Sequence, residues 1–364
     1  MRTLAAAMLA TTLTAFAADP FSPVVHPDHS VTFRVRDAEA KSASVQCEAF
    51  GSKPLAKGED NVWSFTSTPL EPDLYSYSFT LDDRHVTDPE NPELKEGLFG
   101  NESLLSVPGG KDAPWEKRDV PHGEIHRHAY RSKIASHDRE CFVYTPPGYD
   151  AKAEKPLPVL YLLHGFSDQA NAWSTIGRAN VILDNFIADK KAEPMVIVMP
   201  LGYGDMAVVA GGWEGRNKDG AWQKNLTAFD HTLIEEVLPL AESNYKIRKD
   251  RDGRAVAGLS MGGAESLQAA LLHPDTFGWV GAFSSGGIPA DLDAAFPEAG
   301  KTPFKTFWVS CGKDDGLIGA NRSLHAWLDK KQLKHSWTET EGAHRWGVWR
   351  RNLAAFLPLL FKEG

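Results

Sequence analysis

The chain has 364 residues, more than one compact core usually holds, so two structural units are expected. Its 48 acidic against 39 basic residues give a formal charge of -9, which excludes a surface built to track phosphates and, with it, nucleic acid as the main partner. Three cysteines, Cys47, Cys141 and Cys311, are too few and too scattered for a disulfide framework or a CxxC metal site, and all are expected as buried small hydrophobes.

The chain opens with Met1 and Arg2, then an apolar stretch from Leu4 to Phe16 that ends in Ala15-Phe16-Ala17, the layout of a secretory signal peptide over residues 1–18. That stretch is shorter than the ~20 residues a spanning helix needs. No later run is long enough either, so a secreted or periplasmic protein without an integral membrane segment is expected once the signal is removed. From Val31 to Val35 apolar Val31, Phe33 and Val35 alternate with Thr32 and Arg34, and Tyr75 to Leu81 repeats that period of two. Shorter strand candidates at Val45 to Cys47 and Val62 to Phe65 lie between them. Residues 19–107 therefore read as a small all-β sandwich. Two prolines and two glycines in Val107-Pro108-Gly109-Gly110-Lys111-Asp112-Ala113-Pro114 mark a linker over 108–119.

Over residues 120–364 the pattern changes. Short apolar runs at Pro158 to Leu163, Met195 to Met199, Arg254 to Leu259, Val280 to Phe283 and Phe307 to Ser310 alternate with helix-length amphipathic stretches. This is the signature of an α/β unit whose mostly parallel sheet is covered on both faces. Helices are predicted over Thr232 to Asn244, from the stripe Leu233, Val237, Leu240 and Ala241, and over Gly263 to His273, which Pro274 must end. The chain carries no internal repeat and no low-complexity tract.

Gly258-Leu259-Ser260-Met261-Gly262-Gly263 is a G-x-S-x-G between a predicted strand and a predicted helix. At so sharp a turn the serine backbone is strained, glycines on either side let neighbouring chain pass, and the hydroxyl is thrust out above the sheet. Ser260 is the candidate nucleophile. A serine hydroxyl is weak at neutral pH and needs a base oriented by a carboxylate, in the order Ser, Asp or Glu, His. Of the four histidines past Ser260, His273 closes a helix, and His325 and His335 lie in and just after the amphipathic stretch Gly319 to Lys331. His344 alone falls on a loop after a strand candidate, His335 to Thr340, and is the candidate base. For the acid, Asp314 and Asp315 stand together after Phe307 to Ser310, and spacing does not choose between them; Asp291 and Asp293 are outside candidates. The oxyanion donors are expected to be the N–H of Met261 and that of Phe166, with Gly165 close behind, in the loop Leu163-His164-Gly165-Phe166. His164 is expected to support that loop and to stand at the substrate. Of the eleven tryptophans, Trp213 and Trp346 are expected to line the substrate site, since aromatic faces suit sugar rings and phenolic acyl groups.

On Gly258 to Gly263, on Cys311-Gly312-Lys313-Asp314-Asp315-Gly316-Leu317-Ile318-Gly319, and on Gly342-Ala343-His344 with Val348-Trp349, the chain resembles a family of α/β-hydrolase esterases. That family contains the feruloyl and acetyl xylan esterases of carbohydrate esterase family one and, more distantly, enterochelin esterases and the antigen 85 mycolyltransferases. The resemblance covers about residues 120 to 360. It implies Asp315 as the acid, because the family's aspartate precedes a small residue and Leu-Ile. One departure stands out: Arg345-Trp346 replaces the Asp-Phe that several feruloyl esterases carry. Residues 75–79 and 86–89 are similar to immunoglobulin-like modules related to starch-binding families. Together these imply a serine carboxylesterase, needing no metal or organic cofactor, that acts on a polysaccharide or oligosaccharide ester, foremost the feruloyl ester of arabinoxylan. The alternatives are acetyl xylan or siderophore ester cleavage, acyl transfer to a sugar, and a carbohydrate-binding protein with an inactive hydrolase unit.

Overall fold

In the structure, a computed structural model, residues 21–109 and 113–362 are described, so the expected signal peptide lies outside the described residues. Alternation in Val31–Arg36 puts Val31, Phe33 and Val35 on one buried face, which packs on Val45, Cys47, Tyr77 and Phe79 of a facing sheet. One antiparallel sheet runs Val24–Val25, Val31–Arg36, Val62–Thr66, Ala56–Lys57. The other runs Gly51–Pro54, Ala43–Cys47, Asp73–Leu81, Glu102–Val107, Leu94–Lys95, with Arg84–Val86 also paired to Asp73–Leu81. All three cysteines are free and buried.

The second unit is built on eight strands: β1 (Glu124–Arg131), β2 (Asp138–Thr145), β3 (Val159–Leu163), β4 (Val196–Pro200), β5 (Arg254–Leu259), β6 (Trp279–Phe283), β7 (Thr306–Gly312) and β8 (Ser336–Thr340). They lie in the order β1-β2-β4-β3-β5-β6-β7-β8, antiparallel at the β1 and β2 edge and parallel from β4 onward. Every residue of β3, β4 and β6 is buried, because helices cover both faces and leave no solvent side to the sheet. This is the α/β-hydrolase arrangement expected. The connections leave β3 and β5 in opposite directions, so the loops at their carboxyl ends part around a crevice.

Two features depart from the sequence expectation. The edge strands β1 and β2 were not predicted, because Glu124–Arg131 exposes part of both faces and its side chains are mainly charged or imidazole. The predicted helix over 232–244 is the second half of a longer one. Ala221–Thr232 runs through a π-helical turn, Leu233–Val237, into Leu238–Asn244.

The two units are firmly joined. Leu74 and Leu104 of the sandwich belong to the apolar cluster under the hydrolase helix Trp346–Phe356. Residues 113–119, expected as linker, lie against the hydrolase: Asn185 donates to the Pro114 and Glu116 carbonyls, and Arg118 pairs with Asp189. The sandwich residue Asp73 pairs with Arg350 at 2.6 Å and Arg351 at 2.9 Å. Arg350 is fully buried, and burial pulls its pKa down against the opposing charges of Asp73 and Glu48. Asp73→Ala is expected to destabilise the protein by roughly 3–5 kcal/mol, since it leaves a buried guanidinium without its main partner. Thermal melting of the purified variant checks this, and an unchanged Tm would show that Glu48 alone suffices.

Candidate active site

Ser260 stands between the end of β5 and the helix Met261–Leu272, with φ 51° and ψ -113°. That strained conformation is held from outside. The Ser260 N–H donates to Phe283 O at 2.9 Å, and its carbonyl accepts from Gly286 N–H at 2.9 Å. The flanking glycines are obligatory. A Cβ on Gly258 would lie 2.3 Å from the Gly262 carbonyl oxygen, and one on Gly262 would lie 2.4 Å from that of Leu163.

The Ser260 hydroxyl lies 3.0 Å from His344 Nε2, and His344 Nδ1 lies 2.8 Å from Asp315 Oδ2. A carboxylate can only accept, so Nδ1–H donates to Asp315, leaving the Nε2 lone pair to accept the serine proton. Asp315 is buried, which raises its pKa. Hydrogen bonds from His344 and from the Leu317 N–H, at 2.8 Å to Oδ1, outweigh that and hold the carboxyl below its ordinary value. The three residues come from three loops at the carboxyl edge of the sheet, after β5, β7 and β8.

The remaining carboxylates are occupied elsewhere. Asp314 is exposed, Asp291 caps the short helix Leu292–Ala295 through the Ala294 N–H, and Asp293 is paired with Lys330 and Lys331. Among the described residues the amides of Met261 and Phe166 donate to no protein group. The loop bearing Phe166 abuts the serine: a Cβ on Gly165 would approach Ser260 Cβ to 3.4 Å. His164 does not stand at the substrate as expected. It is buried behind the loop, and its Nε2 accepts from Gly202 N–H at 2.8 Å, so Nδ1–H donates to the Gly165 carbonyl at 2.8 Å. Burial lowers its pKa, which keeps the ring neutral for that pairing.

Two chambers meet at Ser260 and His344. The first, about 510 Å³, is walled by Phe166, Trp213, Trp222 and Leu317, with Arg216 and Asn217 as its polar margin. The second, about 300 Å³, lies against the sandwich and is lined by Trp213, Trp346, Arg345 and sandwich side chains. Trp213, more than half exposed, faces both. Trp346 is buried, packs edge-on against Trp173 and shows one side to the second chamber. Sequence reasoning missed Trp222, Arg216 and every contribution of the sandwich. None of these sits in a motif, and only the fold brings them to the crevice. Among the described residues no helix is long and apolar enough to cross a membrane.

The family model described as "Putative esterase" matches residues 132–360. An endo-1,4-beta-xylanase/feruloyl esterase of Xylanibacter ruminicola is 32% identical over 355 residues, covering 93% of this chain and 46% of that protein, so the chain spans about half the length of this relative. A ferulic acid esterase from Anaeromyces mucronatus superposes with TM-score 0.61 at 25% identity, over 69% of this chain and 96% of that one. The enterobactin esterase of Shigella flexneri shares the fold over 90% of this chain and 92% of its own, with TM-score 0.67 and 20% identity. A match over most of the hydrolase unit, on a fold that assembles a serine, an imidazole and a carboxylate, places the chain in this esterase family, whose members are carboxylic ester hydrolases.

Proposed function

We propose that the protein is a serine esterase that releases an aromatic acid from a plant cell-wall sugar, foremost ferulate from arabinoxylan. The observation that carries this reading is the first chamber: an aromatic-walled space of about 510 Å³ opening directly on the Ser260 hydroxyl. Its size and lining suit a planar phenolic acyl group, whereas an acetyl group would leave most of it unfilled. Trp222 adds its indole to the wall, another flat apolar surface for an aromatic acyl group. The activity of the Xylanibacter ruminicola relative, feruloyl esterase beside xylanase, supports the same substrate class.

In the mechanism, His344 Nε2 takes the proton of Ser260 as Oγ attacks the ester carbonyl. The amides of Met261 and Phe166 receive the developing oxyanion, and the amino-terminal dipole of Met261–Leu272 adds to that field. The imidazolium, stabilised by Asp315, then protonates the departing sugar oxygen, and the acyl-enzyme is hydrolysed by water activated in the same way. No step calls for a metal or organic cofactor. Residues 1–18 act as an export signal in this reading, which delivers the enzyme to the periplasm or beyond. Residues 19–107, 108–119 and 120–364 are its sandwich, linker and hydrolase units.

A panel of methyl ferulate, acetylated xylan and enterobactin tests the substrate class. Ferulate release with kcat/KM at least tenfold above either competitor is expected. Preferential acetate release would overturn the acyl assignment while keeping the esterase. Labelling by an activated fluorophosphonate is expected to add its mass at Ser260, and an unlabelled serine would mean the hydrolase unit is inert.

A further inference from the structure

An ester has two ends, and the site has two chambers. The second chamber is formed where the sandwich meets the loops after β3 and β8, with Gln46, Glu48, Ser76, Lys95 and Glu102 of the sandwich in its wall beside Ser260 and His344. Two of these hold the interface itself. Lys95 lies 3.2 Å from Asp168, just past the oxyanion loop, and 3.2 Å from Glu102. Glu48 accepts from the Trp346 N–H at 2.9 Å, two residues past His344. One backbone and one ring contact add to them: Leu98 N–H donates to Ser167 O at 2.9 Å, and Phe99 packs on Phe166 with ring centroids 5.6 Å apart. The sandwich thus braces both the loop of the oxyanion donor and the loop of the imidazole, and the chamber between them is preformed.

With Lys95 and Glu48 committed, Gln46 and Arg345 remain in the wall with side chains that have no hydrogen-bond or ion-pair partner among the described residues. A primary amide and a guanidinium, set beside the Glu102 carboxylate and the indoles of Trp213 and Trp346, are the groups that hold a sugar: planar polar side chains for vicinal hydroxyls and aromatic faces for the ring. We infer that this interdomain chamber is the leaving-group site, that it takes the esterified sugar, and that Gln46 and Arg345 are its hydroxyl-binding residues. Gln46 comes from the sandwich, so that unit completes the active site. Arg345, on the loop that carries His344, sets the alcohol preference. This inference rests on the esterase reading above and adds to it the side of Ser260 on which the alcohol departs.

The experiment compares kcat/KM for methyl ferulate and for a feruloylated arabino-xylo-oligosaccharide in the full-length protein and in Gln46→Ala and Arg345→Ala. The ratio of oligosaccharide to methyl ester is expected to fall about tenfold in each variant, about 1.4 kcal/mol, mostly through KM. A ratio within twofold of wild type in both variants, or a parallel fall on both substrates with a lowered Tm, overturns the proposal. The first result would mean an unused chamber, the second a purely structural role. If the wild-type protein cleaves acetyl but not feruloyl esters, the acyl reading fails and the leaving-group site is judged by the same ratio taken between methyl acetate and acetylated xylo-oligosaccharide.

Discussion

Ser260→Ala is expected to lower kcat by about 10^6-fold, the scale on which a serine hydrolase loses turnover when its nucleophile is removed. The effect is large because no other oxygen can take over. Among the described residues the Ser260 hydroxyl is the one partner of His344 Nε2, and Asp315 is already bonded through both oxygens. The substitution should leave the fold and the chambers intact. Alanine at φ 51° keeps the same backbone bonds to Phe283 and Gly286, and the glycines at 258 and 262 still provide the close passage of chain. What survives is the field of the oxyanion donors and substrate binding, which together hold a residual rate of about 10^3 to 10^4 over water. Steady-state turnover of methyl ferulate, with binding of ferulate followed by calorimetry, separates these contributions. A variant that binds ferulate but turns over within a hundredfold of wild type would mean that water, and not a serine oxygen, attacks the ester.

How far the site could be read from sequence follows from where each residue gets its constraint. Ser260 is legible because its backbone is: a strained turn demands glycine at 258 and 262 whatever the substrate, so the motif records steric necessity. His344 is legible by elimination, once helices claim His273 and His325 and the turn before β8 claims His335. Asp315 is not distinguishable from Asp314 by spacing, and only burial separates them: one carboxylate turns inward to two donors while its neighbour faces water. The parallel core strands show as continuous apolar runs because both their faces are covered, whereas β1, with part of each face wet, carries no such record. Of the two roles expected for His164, support of the oxyanion loop holds and contact with substrate does not, because the backbone donor at Gly202 that fixes its orientation lies 38 residues away in sequence. The sandwich contribution had no local signature at all. Gln46 and Lys95 alternate into or out of a sheet like any strand residue, and their meaning arises only where the sheet meets another unit.

Asp315→Asn tests the orientation of the imidazole with almost no change of shape, and is expected to lower kcat by about 10^4-fold. The amide cannot choose freely which atom faces His344. The Leu317 N–H donates to Oδ1 at 2.8 Å and must keep an acceptor there, so the carbonyl oxygen of asparagine takes the Oδ1 place and its NH2 takes that of Oδ2. A donor then faces His344 Nδ1, which must give up its proton to accept, and the proton moves to Nε2. That nitrogen then presents a hydrogen to the Ser260 hydroxyl and cannot act as its base. KM should change little, because the Asp315 side chain is buried beneath the imidazole ring. The carboxylate also carries a pH signature. Its folded pKa is held below the ordinary ~3.9, so the stabilisation it contributes is present above that value and is lost as pH falls through the lowered one; the Tm difference between wild type and Asp315→Asn should therefore shrink on acidification. Nitrogen NMR of the His344 ring reads the tautomer directly. A variant within tenfold of wild-type kcat, with the proton still on Nδ1, would show that the ring is oriented by its edge-on contact with Trp349, at 4.8 Å between centroids, and not by the carboxylate beneath it.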